Sequence, residues 1–396
     1  MPYPAPIAPA RNRPKAPGLT RLTLGLRTLV ACVLALAVVA PDLYAQRRKK
    51  KQEVEITQTL EVLPDPPASV TVETSKLEFL VSPLSGKGLL SAQVREALKV
   101  LKQQAGPRQI VKLRAFVAGT GDQRRVPAIV SETFAEKKLP LPAVSTIQVG
   151  ALPMEGAQVI VEAVVANRKA VNPSGLGLLS GMGGVGQGQP GLLLPMLDKA
   201  IADLTKAAAI AGSERTDVMR VTCLLSALDT VGEVRTRVAA AFPSAVLTAV
   251  QAERLHDRPL AECEAVVRLR KKPANDVVFL NPPDMSPSPA YSKAVLVGAE
   301  RVVLTGTQLA FHQAEADVDL AFQRMAKVLE AAKSSMKLVA FSSIYSLSKA
   351  MSAKIRARRF QYYDKDRPPA STLLEFEGLP SMDASFALEL VAVPAP

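Results

Sequence analysis

One order of patterns occurs three times along the chain, and it constrains the fold more than any composition value does. Each copy has a long amphipathic helix, an apolar strand, a second helix and two closing strands. The first-helix stripe is Val94, Leu98, Leu101 and Ala105 in one copy, Leu197, Ile201, Leu204 and Ala208 in the next, and Val318, Met325, Leu329 and Ala332 in the last. Steps of three, four or seven put each set on one helix face. Gly106 and Gly212 follow the first two helices, where left-handed backbone closes a helix; the third runs into Lys333 and Ser334 instead. The runs that come next, Ile110 to Val117, Val218 to Leu225 and Leu338 to Tyr345, are rich in aliphatic and β-branched residues and read as strands. They recur at about one domain length, well beyond the ~20 to 50 residues of a solenoid repeat, so the copies are whole domains in tandem.

Second helices are expected at about Arg125 to Phe134, Val231 to Phe242 and Lys349 to Tyr362. Each copy closes in a strand carrying a glutamate among apolar neighbours: Glu162, Glu264 and Glu389. This alternation predicts an α+β class, with two helices covering one face of each sheet. A length of 396 residues suits several cores, and 48% hydrophobic residues can fill them. With no Trp, those cores must be largely aliphatic. The expected organisation is a signal peptide over 1–45, a flexible basic linker over 46–67, and domains over 68–166, 176–272 and 290–394. Linkers at 167–175 and 273–289 separate them; the second holds Pro273, Pro282, Pro283, Pro287 and Pro289.

The N-terminus has a basic region to Arg27, an apolar stretch from Leu29 to Ala40 and a small-residue site at Leu43-Tyr44-Ala45. An exported protein is expected, periplasmic or secreted, with no permanent transmembrane span because Arg27 cuts the apolar stretch short. The formal charge of +13 is partly carried by that segment and by the run Arg47 to Lys51. Downstream of the segment two cysteines remain, Cys223 and Cys263, both in strand-like runs. Buried free thiols are the expected state, with a single disulfide as the alternative. Two histidines, His256 and His312, make no metal site, and neither metal nor cofactor is expected.

In the third copy, Ser288-Pro289-Ala290-Tyr291-Ser292-Lys293-Ala294-Val295, Val303-Leu304-Thr305-Gly306-Thr307-Gln308, Pro369-Ala370-Ser371-Thr372 and Gly378-Leu379-Pro380 resemble the reactive intermediate deaminase (RidA) family in order and spacing. The first copy repeats the ending as Pro142-Ala143-Val144-Ser145-Thr146 and Ala151-Leu152-Pro153; the second is the most divergent. The resemblance implies three tandem RidA-like, chorismate-mutase-like α/β sandwich domains. Since the family forms homotrimers with ligand clefts between subunits, three linked copies imply a monomeric chain folded as an internal pseudo-trimer.

The family hydrolyses reactive imines and enamines, and an arginine clamps the substrate carboxylate. That arginine is absent here: its positions hold Val144, about Ala245, and Ser371. The family's terminal glutamate persists as Glu162, Glu264 and Glu389, the candidate catalytic residues, whose burial would favour a proton acceptor. Tyr291, Gly306, Ser371 and Val144 are the candidate cleft residues. The expected function is binding of a small-molecule ligand or partner at inter-domain clefts, rather than standard 2-imino acid deamination. A divergent deaminase and an RNA-binding or ribonuclease-like protein are the alternatives. The RNA reading rests on Lys354, Arg356, Arg358 and Arg359 beside Phe360, Tyr362 and Tyr363, but charge runs on helices are usually solvated faces, so nucleic acid is not the expected partner. Gly181 to Gly186 matches a dinucleotide-binding pattern without the strand, turn and helix it requires.

Overall fold

The computed structural model describes residues 62–185, 192–255, 258–285 and 288–395. The expected signal peptide and most of the basic linker lie outside the described residues, as do Gly186 and His256. Among the described residues, three sheets carry six α-helices. The first sheet has the order β2-β5-β3-β4, from β2 (Leu77–Val81), β5 (Val159–Ala166), β3 (Gln109–Ala118) and β4 (Ala143–Val149). Helices α1 (Leu90–Ala105) and α2 (Arg125–Ala135) pack on it through Leu98, Leu101, Ile129 and Phe134.

The second sheet runs β10-β11-β6-β9-β7-β8, with β6 (Leu176–Val185), β7 (Val218–Leu225), β8 (Val246–Gln251), β9 (Leu260–Arg268), β10 (Val277–Leu280) and β11 (Ala294–Val297). Its helices are α3 (Leu193–Ile210) and α4 (Val231–Ala241). The third runs β1-β12-β16-β14-β15, with β1 at Ser69–Glu73 and β13 (Gln308–Phe311) also on β16 (Ala384–Ala392). In it lie β12 (Arg301–Thr305), β14 (Val339–Ser346) and β15 (Ala370–Glu375), under α5 (Glu315–Ala331) and α6 (Lys349–Arg358). In every sheet the long strand after the first helix pairs antiparallel with the closing strand and parallel with the one before it.

Helix stripes and inner sheet faces make three separate apolar cores. The other faces of the three sheets meet each other in two further clusters. One joins Phe116, Ile147, Leu224, Val250, Tyr345 and Phe376; the other joins Val111, Val164, Leu178, Val266, Leu304 and Phe341. Helix ends follow the sequence closely. Gly106 and Gly212 take φ of 56° and 72°, and Lys333 takes the same left-handed conformation at φ 58° without a glycine.

Three strands fall elsewhere than the sequence places them. β1 (Ser69–Glu73), inside the expected first domain, pairs with β12 of the third sheet. β11 (Ala294–Val297), inside the expected third domain, pairs with β6 of the second. β10 (Val277–Leu280) lies in the expected linker 273–289 and extends that second sheet. Each is a short β-branched run whose backbone groups are satisfied by a sheet edge, and prolines on either side do not prevent four residues from pairing.

The glycine-rich motif is also strand. Gly181 to Val185 completes β6, and at Gly183, with φ 106°, a Cβ would stand 2.2 Å from the Ala261 carbonyl oxygen. These glycines serve close strand pairing. No helix among the described residues is long and apolar enough to cross a membrane.

The cysteines are joined. Cys223 on β7 and Cys263 on β9 are direct register partners with Cα atoms 4.1 Å apart, and their sulfurs form a disulfide. The free-thiol expectation fails because pairing across strands cannot be read from separate runs. Replacing both by alanine is expected to lower the unfolding free energy by about 2–4 kcal/mol, as for a loop of this length. Urea titration of the oxidised protein and the double variant measures it; coincident curves would show the bond contributes nothing.

Candidate functional site

The candidate catalytic glutamates come together where the three sheets face one another. Register puts Glu162 opposite Arg114, Glu264 opposite Thr222 and Glu389 opposite Ser343. On the parallel side the same three residues stand beside Ser145, Thr248 and Thr372. Two of these hydroxyls reach the next sheet: Ser145 donates to Glu389, and Thr372 Oγ1 donates to Glu264 at 2.7 Å. The buried Thr248 hydroxyl has no hydrogen-bond partner among the described residues, and Glu162 of the first sheet accepts instead from Thr222 of the second. First touches third, third touches second and second touches first, a cyclic arrangement.

Arg114 lies at its centre and is 5% exposed. Its Nε donates to Glu162 at 2.7 Å, Nη1 to Tyr345 at 3.3 Å and Glu389 at 3.5 Å, and Nη2 to Thr222 at 3.1 Å and Glu264 at 2.9 Å. A guanidinium has five N–H donors, and these contacts occupy all of them. Lys112 Nζ lies 2.7 Å from Glu389, and Arg220 Nη2 donates to Glu264 at 3.2 Å. Tyr345 Oη donates to Glu389 at 2.6 Å, and Thr222 Oγ1 to Glu162 at 2.6 Å.

Burial pushes the Glu389 carboxyl up, but Lys112 and Arg114 outweigh it and hold the group down at about 2. For Glu162 burial again works against ionisation, and Arg114 and Arg220 again prevail, holding it below the ordinary carboxylate range. Burial was expected to make proton acceptors of these glutamates. The cations reverse that expectation for Glu162 and Glu389, which are ionised and hydrogen-bonded.

The four candidate cleft residues divide between two boundaries. Val144 and Gly306 meet where the first and third sheets adjoin; a Cβ on Gly306 would stand 2.8 Å from the Val144 carbonyl oxygen. Ser371 and Tyr291 lie where the second and third adjoin. Ser371 is structural there: its amide donates to Ser180 Oγ at 2.8 Å and its hydroxyl to the Ser342 carbonyl at 2.9 Å. Tyr291 Oη accepts from Lys293 Nζ at 3.1 Å.

Glu262, which the sequence did not single out, and Arg359, named there only with the basic stretch of the RNA alternative, have uncommitted groups at this second boundary. Arg359 is 3% exposed, its Nε has no hydrogen-bond partner, and no ion pair reaches its guanidinium among the described residues. Burial lowers its pKa, and Tyr363, Arg356 and Tyr291 are its charged or ionisable neighbours. Glu262 lies over Gly181, where a Cβ would stand 2.1 Å from its Oε1. Burial pushes its carboxyl up to about 8, aided by Glu264 and Glu375 and opposed by Arg356 and Lys293. In the neighbouring basic stretch Lys354 donates to the Gln313 carbonyl, Arg358 pairs with Asp319 and the Tyr362 ring stacks on Phe322 at 4.8 Å, while Arg356 is exposed.

Arg114 was missed because one arginine in a strand has no motif. Aligning the three copies reveals it, since Thr222 and Ser343 hold the matching positions.

The fold is α+β, with three helix-covered sheets whose closing strands bring one glutamate each to a shared centre. Residues 84–167 match the family model described as Endoribonuclease L-PSP, which supports the RidA-like resemblance read from the sequence. No curated protein matches the chain. Among solved structures, a Rid-family protein of unknown function from Yersinia pestis is 21% identical, covering 30% of this chain and 99% of its own, with a TM-score of 0.28. A putative endoribonuclease from Thermotoga maritima is 22% identical, covering 29% and 93%, with a TM-score of 0.23. A YjgF-family member from Neisseria meningitidis is 16% identical, covering 31% and 97%, with a TM-score of 0.23.

Arg114→Thr, which copies the second unit's side chain, is expected to destabilise the fold by about 3–5 kcal/mol, because three buried carboxylates would then face two cations. Chemical unfolding at pH 7 tests this, and a loss under 1 kcal/mol would show the centre is not held by Arg114. Acid sensitivity follows from the same groups. The depressed folded pKa values of Glu162 and Glu389 stabilise the protein above the unfolded value of about 4.3. That stability falls as pH drops from there towards about 2, where Glu389 protonates. Unfolding midpoints across pH 7 to 2 should decline mainly in that window.

Proposed function

We propose that the chain is an exported RidA-like protein folded as an internal pseudo-trimer, which binds a small molecule where the second and third units adjoin and does not deaminate standard 2-imino acids. The observation that carries this reading is the commitment of Arg114. With all five donors on the three glutamates and two partner hydroxyls, the carboxylates that would position water are locked in ion pairs. The position of the substrate clamp is also filled by Val144 and Ser371, neither of which can grip a carboxylate.

The boundary of the second and third units differs, because Arg359 and Glu262 are uncommitted there and Tyr291 and Lys293 stand beside them. At neutral pH a carboxyl titrating near 8 is mostly protonated and can donate a hydrogen bond. A buried guanidinium without a partner favours an anionic group in the ligand. The disulfide supports an oxidising destination such as the periplasm or the cell exterior.

Freshly generated 2-iminobutyrate, with ammonia release as the readout, tests the reading. The wild type should not exceed background. It should bind 2-oxobutyrate, used as a stable carboxylate probe, and Arg359→Gln should weaken that binding at least about tenfold, the scale of one charge-assisted contact. Light scattering should give one chain per particle. Turnover that Glu262→Gln abolishes would replace binding with hydrolysis, and three or more chains per particle would end the internal-trimer reading.

A further inference from the structure

Beside the ionic centre, and bordered by Glu162 and Glu389, lies a cavity of about 80 Å³ that is separate from the cleft of the second and third units. All three sheets line it: Leu77 and Phe79 from the first, Leu178 and Val266 from the second, Leu304 and Phe341 from the third. Polar groups enter only from the ionic side. Lys112, Arg114, Glu162 and Glu389 are engaged there with one another or with hydroxyls. Two lining groups are not fully engaged. The Ser343 hydroxyl makes no hydrogen bond among the described residues. Arg220 donates Nη2 to Glu264, whereas Nη1 comes only within 3.9 Å of Glu162 and the guanidinium lies 5.3 Å from the Phe79 ring centre.

Charge decides what could enter. Glu162, Glu264 and Glu389 face Arg114, Lys112 and Arg220, so the centre is balanced without any ligand. An anion would be buried beside three carboxylates with no unpaired cation to meet it, which is costly. A neutral apolar molecule with one acceptor oxygen avoids that cost. It covers the hydrocarbon wall and takes a hydrogen bond from Ser343 or Arg220. The volume, about half that of a cavity that holds one benzene, excludes nucleotides and six-membered rings and admits a molecule of about four heavy atoms.

We propose that this central cavity binds a small neutral carbonyl compound of about four heavy atoms, such as a three-carbon ketone, independently of the cleft. The test uses the full chain with acetone and acetate as probes and ligand-observed NMR titration as the readout. Saturable binding of acetone is expected, with acetate at least tenfold weaker. Val266→Phe, which fills the cavity from the second sheet, should abolish binding; Leu304→Phe fills it from the third should the first variant not fold. Ser343→Ala, the mildest change, should weaken acetone binding about fivefold, the scale of one hydrogen bond. Arg359→Gln should leave it unchanged, which separates this site from the cleft. Acetate binding as tightly as acetone, or acetone binding undiminished in the filled variants and in Ser343→Ala, would overturn the proposal.

Discussion

The guanidinium of Arg114 is the interaction on which the meeting of the three sheets depends. Each sheet brings a glutamate to the centre, and three buried carboxylates could not share that space as anions without a cation among them. A planar five-donor group can reach all three, which a lysine's compact ammonium could not do in the same fixed geometry. The hydroxyls of Thr222 and Thr372 satisfy carboxylate oxygens that Arg114 leaves, and Ser145 adds a second donor to the Glu389 oxygen that Lys112 holds.

Placing one arginine at such a centre is something three identical chains cannot do. Identical subunits would bring three copies of any residue, and three guanidiniums at Arg114, Thr222 and Ser343 would crowd and repel one another. A single chain frees the copies to differ, so one supplies the arginine and two supply small hydroxyl residues. Lys112, Arg220 and Phe341 differ in the same way one layer along the strands. Covalent linkage therefore contributes more than effective concentration: it permits a centre that is cyclic in backbone and asymmetric in chemistry. The asymmetry extends outward, since the groups around Tyr291 and Arg359 have no counterpart beside Val144 and Gly306.

Most of the fold was legible because repetition and periodicity are local. The stripes Val94 to Ala105, Leu197 to Ala208 and Val318 to Leu329 fall on observed helices, and the three runs beginning near Ile110, Val218 and Leu338 are strands. The three glutamates were legible as a set through their shared place in the closing strand. What connects them was not, because Arg114, Lys112 and Arg220 gain meaning only when three sheets are superposed. The pairing of Cys223 with Cys263 and the roles of Glu262 and Arg359 were hidden for the same reason. Strand register and burial are tertiary properties, and identical short runs can join any available edge.

That last point accounts for the strands that cross between units. β1 extends the third sheet at β12, and β11 extends the second at β6, so the opening strand of one repeat covers a sheet edge of another. The segment that would do this for the first sheet is 167–175, which contains no strand. Among the described residues, the outer edge of β2 accordingly has no pairing strand. Leu77 and Phe79 sit on that strand and line the central cavity. The short connection between the first two units thus gives a physical reason why the ring of sheets is less complete on the side where the cavity lies. In a trimer of identical subunits all three edges would be covered alike; here linkage fixes which one is not.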